Sequence, residues 1–132
     1  MVKRTKMEDE IKNFLLLNKI EFYQQYNSFE FLNGKSLDFY LKDRNIAIEC
    51  QGEQHFIGID YFGGENNLKS QQKRDIEKFN KCKENNIKLL YYVNPKLIKF
   101  TYRDEIVNKY IPNYFQKIFT DLKDLKNEIL KN

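Results

Sequence analysis

Two short segments of alternating sequence, joined by a few polar residues, constrain the fold of this chain more than any other feature. They span residues 36–41 and 45–51. In each, every second residue is apolar, which is typical of a β-strand with one face in the protein core. The apolar positions are Leu37, Phe39, Leu41, Ile46, Ile48 and Cys50. Because the connection is so short, the sequence predicts that the two strands form an antiparallel hairpin.

The register of this hairpin brings two acidic residues together. A turn centred on Asp43 and Arg44 pairs Asp38 with Glu49, on the face opposite the apolar positions. Directly opposed side chains have Cβ atoms about 4.5–5.5 Å apart, and opposed like charges destabilise a sheet. A proton on one carboxyl or a bound cation would relieve the repulsion, and Mg²⁺ is commonly held by one or two carboxylates. The pair is therefore a candidate metal site, with two solvated carboxylates as the alternative.

A polar cluster follows the second strand. Residues 51–56 read Gln-Gly-Glu-Gln-His-Phe, and a glycine at position 52 lets the backbone bend or be approached closely. His55 is the only histidine of the chain. An imidazole a few residues beyond the carboxylates would serve as a general base or contact a phosphate. A structural role for His55 is equally open.

A basic helix is predicted next, from Asn67 to about Asn85. Gln71 or Gln72, together with Asp75 and Lys78, falls on one side of it, at spacings of three and four residues. Its cations are Lys69, Lys73, Arg74, Lys78, Lys81 and Lys83. Such a helix suits contacts with a nucleic-acid backbone, and Gln72, Lys73, Arg74 and Lys78 are the candidates for them. The alternative is a solvated helix face with an ordinary Asp75–Lys78 pair.

The remaining segments complete an α-β-β-β-α-β order followed by one more helix. A helix is predicted from Glu8 to about Asn18, and strands at Glu21–Gln25 and Ile87–Val93. A helix between the third and fourth strands indicates a crossover and a mixed sheet. An amphipathic helix is predicted from Ile111 to about Leu130, with Pro112 in its first turn. Its apolar stripe packs on its own domain or on a second copy of the chain.

Length and composition indicate one soluble domain. The chain has 132 residues and a net charge of +4, which is compatible with a polyanionic partner. Four aromatic residues are interpreted as packing residues rather than base-stacking ones: Tyr61, Phe62, Tyr91 and Tyr92. Phosphate-loop, dinucleotide-binding, HExxH and GxSxG motifs are absent. No apolar run approaches the length of a membrane span, so we expect a cytoplasmic protein without membrane contacts.

The hairpin and the segments around it resemble the PD-(D/E)XK nuclease superfamily. The likeness is strongest to small phage and bacterial proteins related to very-short-patch-repair endonucleases and to homing endonucleases of that kind. It covers roughly residues 7–93. The residues that carry it lie at Glu8, Ser36–Leu41, Asn45–Phe56, Tyr61–Glu65, Gln72, Asp75, Lys78, Cys82 and Asn85–Leu90. The resemblance implies a restriction-endonuclease-like αβββαβ core with a C-terminal helical extension at about residues 102–132.

The resemblance also implies a metal site. Asp38 corresponds to the motif aspartate and Glu49 to the acidic residue of the (D/E)XK element. The backbone carbonyl of Cys50 would be a further ligand of Mg²⁺ or Mn²⁺. Glu8 is similar to the first-helix acidic residue that holds or orients a metal-bound water in these enzymes.

The chain departs from the family pattern at one important position. Gln51 stands where most members have a lysine, and a glutamine supplies hydrogen bonds but no charge. Lys78 is a candidate to supply the missing charge from the helix. His55 matches a recurrent histidine of the subgroup.

The sequence therefore predicts a metal-dependent DNA endonuclease that hydrolyses phosphodiester bonds. A catalytically weak or inactive nucleic-acid-binding module on the same fold is the first alternative. An assembly protein that dimerises through the C-terminal helix is the second. A separate partner that selects the DNA target is compatible with any of these.

Overall fold

A five-stranded mixed sheet forms the centre of the protein in the computed structural model, which describes residues 6–58 and 64–131. The strands lie side by side in chain order. They are β1 (Tyr23–Tyr26), β2 (Leu37–Leu41), β3 (Ile46–Cys50), β4 (Lys88–Tyr92) and β5 (Ile118–Phe119). Tyr61, Phe62 and Gly63, which contribute to the resemblance, lie outside the described residues.

The strand pairing confirms the predicted hairpin and its register. β1, β2 and β3 are antiparallel neighbours, whereas β3–β4 and β4–β5 are parallel pairs. Leu41 pairs with Ile46 and Phe39 with Ile48, as a turn centred on residues 43 and 44 requires. Asn45 closes this turn with a positive φ of 52°, a conformation that asparagine tolerates. The predicted mixed sheet is therefore confirmed.

Helices cover both faces of the sheet. They are α1 (Lys6–Leu17), α2 (Gly64–Glu84), α3 (Phe100–Glu105) and α4 (Leu122–Leu130). α1 and α4 pack on the face that carries Phe39 and Ile48. α2 covers the face that carries Tyr40 and Ala47. Among the described residues, no helix combines the length and the apolar character needed to cross a membrane.

Buried side chains of the described residues form three apolar clusters, one under α1 and α4, one under α2, and one that includes Phe56 and Val93 beyond the ends of β3 and β4. Tyr92 belongs to the cluster under α1 and Tyr91 to the cluster under α2, so both tyrosines pack in the core as expected. Leu37 differs from expectation. The alternation predicts that it shares the face of Phe39 and Leu41, but it packs with the α2 cluster. The alternation of β2 is therefore broken at Asp38.

The predicted helix from Ile111 to Leu130 is wrong over its first half. A π-helical turn and a 3₁₀ turn occupy residues 106–113, with Pro112 inside the 3₁₀ turn. Ile118 and Phe119 pair with β4 as a strand, because a sheet edge satisfies their backbone groups and buries Phe119. Within the predicted range, only α4 is an α-helix. It begins at Leu122, after the N-cap Asp121, whose carboxylate accepts from the Lys123 N–H at 2.6 Å.

Candidate active site

A polar cleft of about 330 Å³ lies at the end of the sheet where β3 finishes. Its walls come from the first turn of α1, the start of β2, the end of β3 and one side of α2. In open α/β sheets, ligands bind beyond the carboxyl ends of the strands. The lining residues are Met7, Glu8, Ser36, Asp38, Glu49, Cys50, Gln51, Gly52, Gln54, His55, Gln71, Asp75 and Lys78. The cleft thus brings together all the residues predicted to have catalytic or metal-binding roles.

Asp38 and Glu49 lie at adjacent positions on β2 and β3 within this cleft. The Asp38 N–H donates to Glu49 Oε2 at 2.8 Å. The Cys50 N–H donates to Asp38 Oδ2, also at 2.8 Å. Each carboxylate is therefore held by a backbone donor of the neighbouring strand, which fixes its position.

Burial changes the acid–base chemistry of Asp38. The pKa of Asp38 is raised from 3.8 to about 8, first by burial and then by the charge of Glu49, with a further contribution from Glu8. The hydrogen bond from Cys50 acts in the opposite direction. Without a cation, Asp38 therefore holds a proton at neutral pH. A positive charge beside the pair would favour the ionised form.

A third carboxylate, that of Glu8, reaches the cleft from α1. Glu8 is buried and accepts from Gln25 Nε2 at 3.3 Å. The same nitrogen lies 3.5 Å from Asp38 Oδ1. Gln25 Oε1 in turn accepts from Ser36 Oγ at 3.3 Å. The side-chain amide of Gln25 thus links the carboxylate of α1 to that of β2.

Lys78 brings a positive charge into the cleft from α2. Its Nζ forms an ion pair with Glu49 Oε1 and donates to the backbone carbonyl of Ser36 at 2.8 Å. Burial alone would lower the pKa of Lys78, but the charge and hydrogen bond of Glu49 outweigh it and raise the pKa. The ammonium group therefore stays charged at neutral pH. Lys78 occupies the cleft rather than a solvated helix face.

Gln51 is buried in the wall of the cleft, and its amide nitrogen has no hydrogen-bond acceptor among the described residues. Only 2% of the residue is exposed. An unpaired buried donor costs about 1–3 kcal/mol. Buried polar groups are paired with protein, water or a ligand in nearly all proteins. The Gln51 amide is therefore an unpaired donor in the wall of the cleft.

His55, which is half-buried, and the buried Asp75 form a hydrogen-bonded pair at one side of the cleft. His55 Nδ1 lies 2.8 Å from Asp75 Oδ2, which also accepts from the Tyr114 hydroxyl at 2.8 Å. Gln71 Nε2 donates to Asp75 Oδ1 at 3.2 Å. Burial would raise the pKa of Asp75, but the hydrogen bond and charge of His55, with the bonds from Tyr114 and Gln71, lower it. An ionised Asp75 favours the tautomer with the proton on Nδ1, so Nε2 is the acceptor nitrogen.

The three other predicted nucleic-acid contacts lie outside the cleft lining. Gln72 Nε2 donates to the backbone carbonyl of His55 at 3.1 Å, so it holds the turn after β3 against α2. Lys73 and Arg74 are exposed on α2, and Arg74 Nη2 donates to Gln71 Oε1 at 3.0 Å. Their contacts with DNA remain predictions.

Two residues of the site were not identified from the sequence. Gln25 was assigned only to a strand, and no residue-type signal shows that its side chain meets Glu8 and Asp38. Tyr114 was placed inside a helix that does not form, off its apolar stripe. Tyr114 comes near Asp75 because Ile118 and Phe119 pair with β4. A strand of two residues is too short to be recognised from its sequence pattern.

The cleft does not contain a complete ligand set for a tightly bound metal. Among the described residues, no three or more His, Cys, Asp and Glu side chains are grouped so that they could hold a metal ion by themselves. Asp38 and Glu49 are a pair, which matches the smaller number of protein ligands typical of Mg²⁺.

Comparisons with known proteins leave the family of this chain open. No family model matches it, and no solved structure matches it. The chain is similar to a protein of Frog virus 3 (isolate Goorha) named "Uncharacterized protein 094L", with 41% identity over 56 residues. That stretch is 41% of this chain and 36% of the viral protein, so the match spans about a third of the relative's length.

Proposed function

We propose that this protein is a Mg²⁺- or Mn²⁺-dependent endodeoxyribonuclease that hydrolyses phosphodiester bonds with water as the nucleophile. The observation that carries the proposal is the Asp38–Glu49 pair, which shares one cleft with the charged Lys78 and the unpaired amide of Gln51. Two adjacent carboxylates suit a divalent cation. The ammonium of Lys78 and the unpaired N–H of Gln51, in the same cleft, suit the oxygens of a phosphate.

The side chains in the cleft fit a divalent cation. Asp38, Glu49 and the backbone carbonyl of Cys50 would hold it, with Glu8 acting through a water molecule. The N–H of Cys50 points to Asp38, and the N–H and C=O of one strand residue project to the same side. Burial, and then the charge of Glu49, raise the pKa of Asp38, and a cation beside the pair would favour its ionised form. A bound cation would lower the pKa of a coordinated water and polarise the phosphate.

Lys78 and Gln51 together replace the single lysine of the (D/E)XK pattern. The Lys78 ammonium lies against Glu49 and stabilises negative charge that develops on the phosphate oxygens. The Gln51 Nε2 donates to a phosphate oxygen or to the attacking water. Lys78 would supply the positive charge from α2, and Gln51 would supply the directional hydrogen bond from the end of β3.

His55 accepts the proton that the attacking water loses. A new bond forms between the water oxygen and phosphorus, and the bond from phosphorus to the leaving sugar oxygen breaks. The water proton moves to His55 Nε2, and the leaving oxygen takes a proton from solvent. Asp75 holds Nδ1 at 2.8 Å and stabilises the imidazolium that results.

DNA is the substrate that we propose, on a restriction-endonuclease-like arrangement of the αβββαβ core. The net charge of +4 favours a polyanion. Exposed cations of α2, on the helix that carries Lys78, would contact the DNA backbone beyond the scissile phosphate. They include Lys69, Lys73 and Arg74.

Nicking of supercoiled plasmid tests the proposal. The parent chain, Asp38→Asn and Glu49→Gln are purified in parallel and assayed with Mg²⁺, with Mn²⁺ and with a chelator. We expect cation-dependent nicking by the parent and a loss of at least about 100-fold in both variants, because each replacement keeps the shape but removes a charged ligand. Asp43→Asn, an exposed carboxylate in the hairpin turn, is the matched control and should keep the parent rate.

The alternative function would give a different result in the same preparation. A folded parent that shifts DNA in a gel but cuts no duplex, branched or single-stranded substrate with either cation would be a nucleic-acid-binding module. The structural feature that favours this alternative is the ion pair of Lys78 with Glu49, which already neutralises one carboxylate. Nicking that survives in both cleft variants would show that the activity belongs to another site or another protein.

A further inference from the structure

Gln25 has a backbone conformation that is unusual for a residue within a strand. Its φ is 52°, in the left-handed region, although it is the third of the four residues of β1. Steric contacts of Cβ disfavour this region for residues other than glycine. Residues held there by the surrounding structure cluster at functional sites. Contacts with neighbouring residues must therefore stabilise this conformation of Gln25.

The other described non-glycine residues with positive φ have local explanations. Three are asparagines, which tolerate the left-handed region, and Lys19 lies in the turn that ends α1, where such a residue is common. The asparagines are Asn33, Asn45 and Asn86. Gln25 is neither an asparagine nor a helix-ending residue.

The left-handed conformation of Gln25 interrupts the pairing of β1 with β2 beside Asp38. The strands pair on both sides of this point, but the pairing between Gln25 and Asp38 is missing. The Asp38 N–H instead donates to Glu49 Oε2 at 2.8 Å. The interruption thus frees a backbone donor for the second carboxylate of the pair.

The side chain of Gln25 connects the other carboxylates of the cleft. Its Nε2 donates to Glu8 Oε2 at 3.3 Å and lies 3.5 Å from Asp38 Oδ1. Its Oε1 accepts from Ser36 Oγ at 3.3 Å, which orients the amide so that its nitrogen faces the carboxylates. One residue therefore contributes, through backbone and side chain, to the placement of Glu8, Asp38 and Glu49.

We infer that Gln25 is a positioning residue of the cation site in this cleft. It holds three carboxylates in one arrangement by a left-handed backbone and a bridging amide, without itself contacting the cation. This inference rests on the proposed function, since it presumes that the cleft takes a divalent cation. Partners that orient metal ligands typically contribute about 10–100-fold to metal affinity.

Calorimetric titration of the full chain with Mn²⁺ tests the inference independently of nuclease activity. Gln25→Gly removes the amide and relaxes the backbone, whereas Gln25→Met removes the amide and keeps the size of the side chain. We expect the dissociation constant for Mn²⁺ to rise about 10–100-fold in both variants. The thermal unfolding midpoint of Gln25→Gly without divalent cation should equal or exceed that of the parent, because glycine accepts a positive φ without strain.

Two further variants separate the causes. Lys19→Gly makes the same backbone relaxation at a position outside the cleft, and its Mn²⁺ affinity should match that of the parent. Asp38→Asn removes a proposed ligand and should abolish Mn²⁺ binding.

The outcomes distinguish this inference from the proposed function. A parent chain that binds no Mn²⁺ would overturn both. A parent that binds Mn²⁺ through Asp38, with parent-like affinity in both Gln25 variants, would overturn the inference alone. Weaker Mn²⁺ binding in both Gln25 variants, with Lys19→Gly unchanged, would establish Gln25 as a positioning residue even if Gln25→Met lowered the unfolding midpoint.

Discussion

At the scale of single residues, Asp38 is placed where its charge is unfavourable in the folded protein. Burial and the neighbouring charge of Glu49 raise its pKa from 3.8 to about 8. Between these values the folded chain keeps a proton that the unfolded chain has lost. This contribution to stability is complete below pH 4, and it declines as the pH rises toward 8. Such a cost at a cleft is typical of a site selected for binding rather than for stability.

The replacement Asp38→Asn should therefore stabilise the metal-free protein at high pH. At pH 8 we expect the free energy of unfolding of the variant to exceed that of the parent by at least about 1 kcal/mol, the free-energy equivalent of roughly one pKa unit. The difference should be smaller near pH 4. Urea denaturation at several pH values in the presence of a chelator measures this. The exposed control Asp43→Asn should follow the parent at every pH. A parent whose stability rises from pH 4 to 8 relative to Asp38→Asn would contradict the placement of Asp38.

At the scale of elements, α2 supplies the charge of the site and β3 the directional donor. Lys78 projects from α2 into the cleft and pairs with Glu49, while Gln51 follows the last residue of β3. Asp75, one helical turn before Lys78, holds His55. Residues three and four apart lie on the same side of a helix. One face of α2 therefore contributes both the ammonium group of Lys78 and the carboxylate of Asp75 that contacts the imidazole of His55.

Moving the positive charge between these two elements tests the arrangement. Lys78→Gln should lower the rate of plasmid nicking at least about 10-fold, because one oriented charge at the phosphate is lost. Adding Gln51→Lys should restore part of the rate, since a lysine there points into the same cleft. Gln51→Lys alone should not exceed the parent, because two ammonium groups would compete for Glu49. If Lys78→Gln nicks at the parent rate, the charge from α2 has no part in the reaction.

The elements around the site differ in how far the sequence could predict them. The hairpin was predictable because apolar residues alternate in both strands and a short turn leaves one register that buries them. The alternation also placed Asp38 opposite Glu49. The pairing gap at Gln25 was not predictable, because glutamine has no preference for the left-handed region and the conformation depends on contacts from α1 and β2.

The structure of the C-terminal segment differs from the prediction for another reason. Its apolar residues recur at helical spacing, so periodicity alone indicates one helix. In the folded chain, Phe119 is buried on a strand and Leu125 on a helix, and both belong to the same apolar cluster. Tertiary pairing with β4 decides the structure of residues 118–119, and no local pattern records that pairing.

At the scale of the whole molecule, the C-terminal segment belongs to both the core and the site. Leu125 and Ile129 of α4 are almost fully buried against α1 and the sheet. Tyr114, from the turn before β5, donates to Asp75 beside the cleft. The segment beyond β4 therefore covers one face of the sheet through α4. On the other face, its Tyr114 contacts Asp75, the partner of His55.

This placement predicts that α4 contributes to the stability of the monomer. Leu125→Ala should lower the free energy of unfolding by about 2–5 kcal/mol, as expected for a large-to-small change in a core. Leu130→Ala, on the same helix at a residue 42% exposed, should change it by less than about 0.5 kcal/mol. Urea denaturation at two protein concentrations measures both variants, and the midpoints should not depend on concentration. A neutral Leu125→Ala, or a midpoint that rises with protein concentration, would instead place the apolar face of α4 against a second copy of the chain.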